Sequence, residues 1–199
     1  MSFHEYIDIR VIVQALLVFV VFTFITGILY PFLITGLAQI FFPHQANGSF
    51  VEVHGKIIGS ELIGQNFTGE KYFHGRPSAV DYSANLSGTN NFGPTNPTYL
   101  SLIQSRVDQI RRENNLNTTT PIPADLILDS ASGLDPHISI ETALIQVHRV
   151  ASARGISEEK VRDLVLSKVE YAEFGLLSAN RVNVLELNIA LDSINQGVD

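Results

Sequence analysis

Ser130, Ser132, Asp135 and His137 fall within eight consecutive residues, and a serine nucleophile with a local base would need these residue types. No G-x-S-x-G elbow surrounds either serine. Asp and Ser side chains routinely hydrogen-bond nearby amides, so this stretch is expected to be a tight turn leading to Ser139 as a helix cap. Six histidines stand at positions 4, 44, 54, 74, 137 and 148, without an H-x-x-x-H pair on any predicted helix. Zinc is therefore not expected, and no metal ligands are assigned. Cysteine is absent, which removes disulfides, thiolate metal sites and cysteine nucleophiles together.

Phosphate chemistry has an equally thin basis. A Walker A loop needs glycine amides followed by Lys and Ser or Thr, and no G-x-x-x-x-G-K-[ST] occurs. Leu86-Ser87-Gly88-Thr89-Asn90 resembles the L-S-G-G-Q signature of ABC-type ATPases, in which serine and backbone N–H groups meet a phosphate. A Gly-Asn turn explains it as well. On a predicted helix, Gln146, Arg149 and Arg154 could face a partner or a ligand phosphate, although solvated helix positions are the expected reading.

These groups must be positioned by elements of two kinds. The first is a run without Asp, Glu, Lys or Arg from Val11 to Val51, of which Val11 to Phe42 is apolar enough to lie in hydrocarbon. About 20 helical residues cross a bilayer core of about 30 Å, so the run predicts one membrane-spanning helix with length to spare for tilt, a kink or a stalk. Pro31 is the expected kink, and Gly27 and Gly36 leave the backbone open to another helix. The run exceeds a signal-peptide core and ends in Phe41-Phe42-Pro43-His44 rather than in small residues, so a retained anchor is expected.

The chain carries 13 basic and 20 acidic residues; setting aside Arg10, Glu5 and Asp8, 12 and 18 follow the anchor. A mildly acidic domain without runs of one sign excludes nucleic acid as a partner. Arg10 on one side and Lys56 on the other nearly balance the positive-inside rule. The short tail and the arginine at the membrane edge favour an inward N-terminus, with the large domain outside the cytoplasm.

That domain is the second kind of element. Val51 to Ser60 predicts a strand or hairpin, and Tyr72 to Pro94 a long ordered loop, too aromatic for a disordered linker. Asn96 and Pro97 open a helix with Leu100, Ile103, Val107 and Ile110 on its core stripe and Arg106, Arg111 and Arg112 off it, ending near Asn114. Thr118 to Pro123 predicts an exposed connector and Asp125 to Leu128 a short strand. Ser139 caps a helix with core positions Ile140, Ala143, Leu144, Val147 and Val150, closed by Gly155. Another runs from Ser157 to about Val169, and a last helix begins at Asn183, although Val182 to Leu191 also fits strand alternation in part. The fold class is α+β: one transmembrane helix, then a single mixed α/β extracytoplasmic domain.

Read together, several motifs become specific. Thr26-Gly27 with Tyr30-Pro31, Thr35-Gly36-Leu37-Ala38-Gln39, Gly64-Gln65-Asn66-Phe67, Gly75-Arg76-Pro77-Ser78-Ala79, Ser132-Gly133-Leu134-Asp135-Pro136-His137, Gln146-Val147-His148-Arg149-Val150-Ala151-Ser152-Ala153-Arg154-Gly155 and Arg181-Val182-Asn183-Val184-Leu185-Glu186-Leu187-Asn188 resemble, in order, the small C subunit family of the Kdp potassium-transporting ATPase. The resemblance runs from about Thr26 to Asp192.

The resemblance implies a bacterial inner-membrane complex in which a channel-like subunit conducts K⁺, a P-type ATPase subunit hydrolyses ATP, and a small single-span subunit completes the assembly. This chain would be the non-catalytic member, with residues 1–10 as a cytoplasmic tail, 11–42 as the anchor in membrane lipid and 43–199 as a periplasmic domain. It lacks the D-K-T-G aspartate of P-type pumps. The family is also described as a catalytic chaperone that raises the ATP affinity of the pump subunit, which would make Ser87, Gly88 and Gln146 nucleotide-associated; no tightly bound cofactor is implied, and ATP enters only through that attribution. Thr89 stands where the family commonly has glycine, which removes a permissive backbone site from such a loop. Gly27, Pro31, Thr35 and Gly36 would line the packing surface for the channel-like subunit. An independent membrane-tethered enzyme or ligand-binding ectodomain is the rival, and it would need a convergent catalytic set that the sequence does not display.

Overall fold

The computed structural model describes residues 9–175 and 177–195. Most of the expected cytoplasmic tail lies outside them. The chain divides into two compact units between Ser49 and Phe50.

The first unit is dominated by one apolar helix, Ile9–Phe41, of 33 residues. At about 1.5 Å per residue it is roughly 50 Å long, well beyond a hydrocarbon core of about 30 Å. It comprises α1 (Ile9–Phe24), a π-helical turn (Ile25–Leu29) and α2 (Tyr30–Phe41). Pro31 thus marks an irregularity, but one absorbed by widening the helix ahead of it. The Tyr30 N–H reaches back five residues to Ile25 O, and the Thr26 hydroxyl donates to Phe22 O at 2.7 Å. A proline without an N–H and with its ring against the carbonyl four residues back makes that widening the economical relief. At Phe42 the backbone leaves helical angles, and Pro43 starts the single turn α3 (Pro43–Ala46).

The second unit begins with the expected hairpin, β1 (Phe50–Val53) against β2 (Lys56–Ser60), turned by His54 and Gly55 at positive φ. Residues 61–96 form the long loop, ordered by side chains described below. Asn96 caps α4 (Pro97–Glu113) by accepting from the amides of Thr98 and Tyr99. Its stripe is shallower than its periodicity suggests: Ile110 is buried, Ile103 and Val107 are half-buried, and Leu100 is exposed. Asp125 to Leu128 is not a strand. Ala124–Leu126 is a 3₁₀ turn after Pro123, because the Asp125 carboxylate faces back to receive Ser139 N, Ser139 Oγ and Thr142 Oγ1 at 2.7, 3.2 and 2.6 Å.

The three-stranded antiparallel sheet has the order β3 (His137–Ile138), β5 (Arg181–Asn183), β4 (Val169–Glu170). Helices α5 (Ile140–Arg154), α6 (Glu158–Ser167) and α7 (Val184–Asn195) surround a core of Phe73, Ile138, Val147, Val150, Val161, Val165, Val182, Leu187 and Leu191. Ser139 and Ser157 cap α5 and α6, and Gly155 closes α5 at φ 67°. Helix α6 ends at Ser167, short of the expected Val169, because Val169 pairs with Val182 in the sheet. The double character of the last segment is real: Arg181–Asn183 is the central strand, and the Asn183 side chain then accepts from the amides of Leu185 and Glu186 to start α7.

Candidate functional site

Helix α5 places Gln146 and Arg149 on the face that carries Ala143, Val147 and Val150, so both polar side chains enter the interior and must find partners there. They find the long loop. The Gln146 amide accepts from His74 N at 2.8 Å and donates to His74 O at 3.1 Å, as a neighbouring strand would. From α7, Asn188 does the same for the preceding residue, accepting from Phe73 N at 2.9 Å and donating to Phe73 O at 3.0 Å. Arg149 donates to Glu70 O at 2.5 Å, Tyr72 O at 2.9 Å, Gln146 Oε1 at 2.7 Å and Asn114 Oδ1 at 3.1 Å. At the end of α5, Arg154 donates to Lys71 O at 2.7 Å, pairs with Asp192 at 2.7 Å and lies over the Tyr72 ring, whose hydroxyl donates to the same carboxylate. Residues 70–74 are thereby held against α5 and α7, the turn closed by Tyr72 N on Gly69 O at 3.0 Å leading Phe73 fully into the core.

Gln146 and Arg149 are therefore not solvated helix positions, and the Arg154 side chain is only 3% exposed. The sequence contained a usable signal: polar residues on the apolar stripe of α5, and Asn188 inside the run Leu185 to Leu191. Asn114 and Asn188 were missed altogether.

Beside this clamp lies a cleft of about 310 Å³, lined by residues that include His74, Arg76, Asp81, Tyr82, Arg106 and Glu113. Its two arginines are held in ion pairs. Arg106 pairs with Asp129 at 2.7 Å and donates to Ile127 O, while Arg76 pairs with Asp135 at 3.0 Å. The Tyr82 hydroxyl donates to Arg76 O; burial, and then the Asp135 charge, push its pKa up to about 12, so it stays a neutral donor. Burial, and then the Arg149 charge, lower the pKa of His74, against the opposing pull of Gly69 O and Glu113. Burial also lowers the pKa of Arg149.

The serine cluster forms the expected turn. Ser132 Oγ accepts from Leu134 N at 3.1 Å, Asp135 from His137 N at 3.0 Å, and Ser130 O from Gly133 N at 3.2 Å. Gly88 N donates to Ser132 O at 2.9 Å, whereas Ser87 is exposed. Gly88 and Gln146 are thus held by different partners. Among the described residues, no three His, Asp or Glu side chains gather as metal ligands. On the anchor, Gly27, Pro31, Thr35 and Gly36 are exposed, and a Cβ added at either glycine meets nothing within 4 Å.

Asp135 supplies a test of this loop. Burial disfavours its charge, but hydrogen bonds from His137 and Arg76 outweigh that and hold its pKa at about 2, against 3.8 when free. A carboxylate with a depressed folded pKa stabilises above its unfolded value, and that stability disappears as pH falls through the folded one. Between about pH 4 and 2 the domain is expected to lose about 2 kcal/mol through this group. Thermal melts across that window should be flatter for Asp135→Asn than for the wild type; parallel curves would rule the linkage out.

Residues 12–193 match the family model of the K⁺-transporting ATPase c chain, KdpC. The chain is similar to potassium-transporting ATPase KdpC subunits from Methylococcus capsulatus, 51% identical over 90% of this chain and 96% of that protein, and Geobacter metallireducens, 49% identical over 90% and 96%. That of Mycobacterium bovis is 46% identical over 93% of this chain and 99% of its own length.

Proposed function

The chain belongs to the KdpC family of K⁺-transporting ATPase c chains, and from that premise we propose that it is a non-catalytic subunit of an ATP-driven potassium uptake complex, anchored by one helix in the bacterial inner membrane. Its partners are a channel-like subunit, a P-type ATPase subunit and a small single-span subunit. The observation that supports this reading is the anchor: its residues carry an apolar surface that none of the described residues buries, which suits lipid and a neighbouring membrane helix. The folded domain fits the same reading, because Gln146, Arg149, Arg154 and Asn188 are engaged in holding its own loop.

The N-terminus lies in the cytoplasm and the acidic domain on the K⁺ entry side in this proposal. Summed carboxylate potential raises the local cation concentration and is screened over about 8 Å at physiological ionic strength. A chaperone role toward ATP fits less well, since the Gln146 amide is fully engaged with His74, Thr142 and Arg149. The two roles separate experimentally. With the exposed carboxylates Glu52, Glu159 and Asp163 changed to their amides, the apparent KM for K⁺ is expected to rise roughly twofold at low ionic strength, with kcat and the KM for ATP unchanged. An unchanged K⁺ dependence with a shifted ATP dependence would favour the chaperone.

A further inference from the structure

Between β4 and β5 stand the most exposed large apolar side chains outside the anchor among the described residues. Tyr171, Phe174 and Leu177 are 73%, 89% and 69% exposed. Their backbone is nevertheless organised. Ala172 N donates to Asn180 Oδ1 at 3.0 Å, Gly175 N to Ala172 O at 2.9 Å and Leu177 N to Glu173 O at 3.1 Å. The loop is thus shaped by its own hydrogen bonds while Tyr171, Phe174 and Leu177 stand largely exposed.

Phe174 sits at φ 54°, ψ 14°, and Gly175 follows at φ 70°. A left-handed aromatic residue is a backbone outlier, and such strain persists at binding sites more often than in ordinary turns. Glycine at 174 would remove the strain, but it would also remove the ring. A pre-shaped tip with an aromatic anchor loses little freedom on binding, which is how interface hot spots work.

Charge decides between lipid and protein as the occupant. Residues 169–180 contain Glu170 and Glu173 and neither Lys nor Arg. Glu170 is paired with Arg181 at 2.9 Å, whereas Glu173 is exposed beside Phe174. Loops and helices that insert into anionic membranes carry basic residues around their apolar side chains, and this tip carries the opposite sign. An apolar protein pocket rimmed by Lys or Arg complements both the rings and the carboxylate.

We propose that the β4–β5 loop is a docking tip that inserts Tyr171, Phe174 and Leu177 into an apolar, base-rimmed pocket on another subunit of the transport complex, an assignment that rests on the subunit reading above. The test uses the full chain co-expressed with the other subunits, with a photoreactive phenylalanine analogue at position 174 and adducts located by mass spectrometry. The expected adduct lies on a partner subunit, near a Lys or Arg of its extramembrane surface. In parallel, Phe174→Gly should leave the melting temperature unchanged or raise it, yet weaken retention of the partner about tenfold in a salt and detergent titration. Adducts confined to lipid, no adduct while the subunits co-purify, or wild-type retention by Phe174→Gly would each overturn the docking tip alone. A wild-type chain that co-purifies with no other subunit would overturn the subunit reading as well.

Discussion

Replacing Gln146 with leucine is expected to lower the unfolding free energy of the domain by about 3–5 kcal/mol. The two side chains are close in size, so the loss does not come from a cavity. It comes from stranding His74 N, His74 O and one Arg149 amine hydrogen where the packed loop leaves them no protein partner. Each unsatisfied buried group costs about 1–3 kcal/mol, and the guanidinium lies at the upper end because it is charged. Asn188→Leu strands Phe73 in the same way. Both amides hold adjacent residues of one loop, so the double variant should lose less than the two single losses added, with a coupling of about 1 kcal/mol or more. Glu141→Gln, on the solvent side of the same helix, should change stability by no more than about 0.5 kcal/mol. Chemical denaturation of the four variants checks the whole set. A loss under about 1 kcal/mol for Gln146→Leu would show that the loop is held by something else.

The helices were legible in the sequence because their signals are local. Asn96, Ser139 and Ser157 each accept from backbone amides in the first turn, as caps must, and Gly155 takes the left-handed angle its position requires. The hairpin followed from apolar runs broken by Gly55. The three-stranded sheet was not legible, since β3 and β4 are two residues each and exist only through pairing with Arg181–Asn183. Asp125 was misread for a related reason: its carboxylate is oriented by Ser139 and Thr142, fourteen and seventeen residues away. The clamp shows the same limit more sharply. Gln146, Arg149 and Arg154 stood out as polar residues on a helix, but their partners in the loop lie 72 to 83 residues earlier, and nothing in local periodicity links them.

Gly36→Leu is expected to remove most of the membrane partner from the purified complex while leaving the folded domain intact. Lipid is as apolar as leucine, so membrane helices associate through close contact of small residues rather than through a hydrophobic drive. Gly27, Pro31 and Thr35 recur every four residues, and Gly36 adjoins them. A Cβ at 36 meets nothing within 4 Å among the described residues, so the effect is expected at the surface of another helix. Leucine there holds a partner's backbone away by the depth of its side chain. The π-helical turn at Ile25–Leu29 brings Pro31 into the helix without breaking it.

The central claim is that this chain works as an accessory subunit joined to its complex through the anchor. The measurement that tests it most directly is the amount of channel-like subunit retained after detergent extraction with the Gly36→Leu chain, relative to the wild type, quantified by mass spectrometry alongside K⁺-stimulated ATP hydrolysis. Retention is expected to fall by about tenfold and hydrolysis to fall in step with the subunit lost, at an unchanged melting temperature for the domain. Retention and hydrolysis at wild-type levels would contradict the central claim.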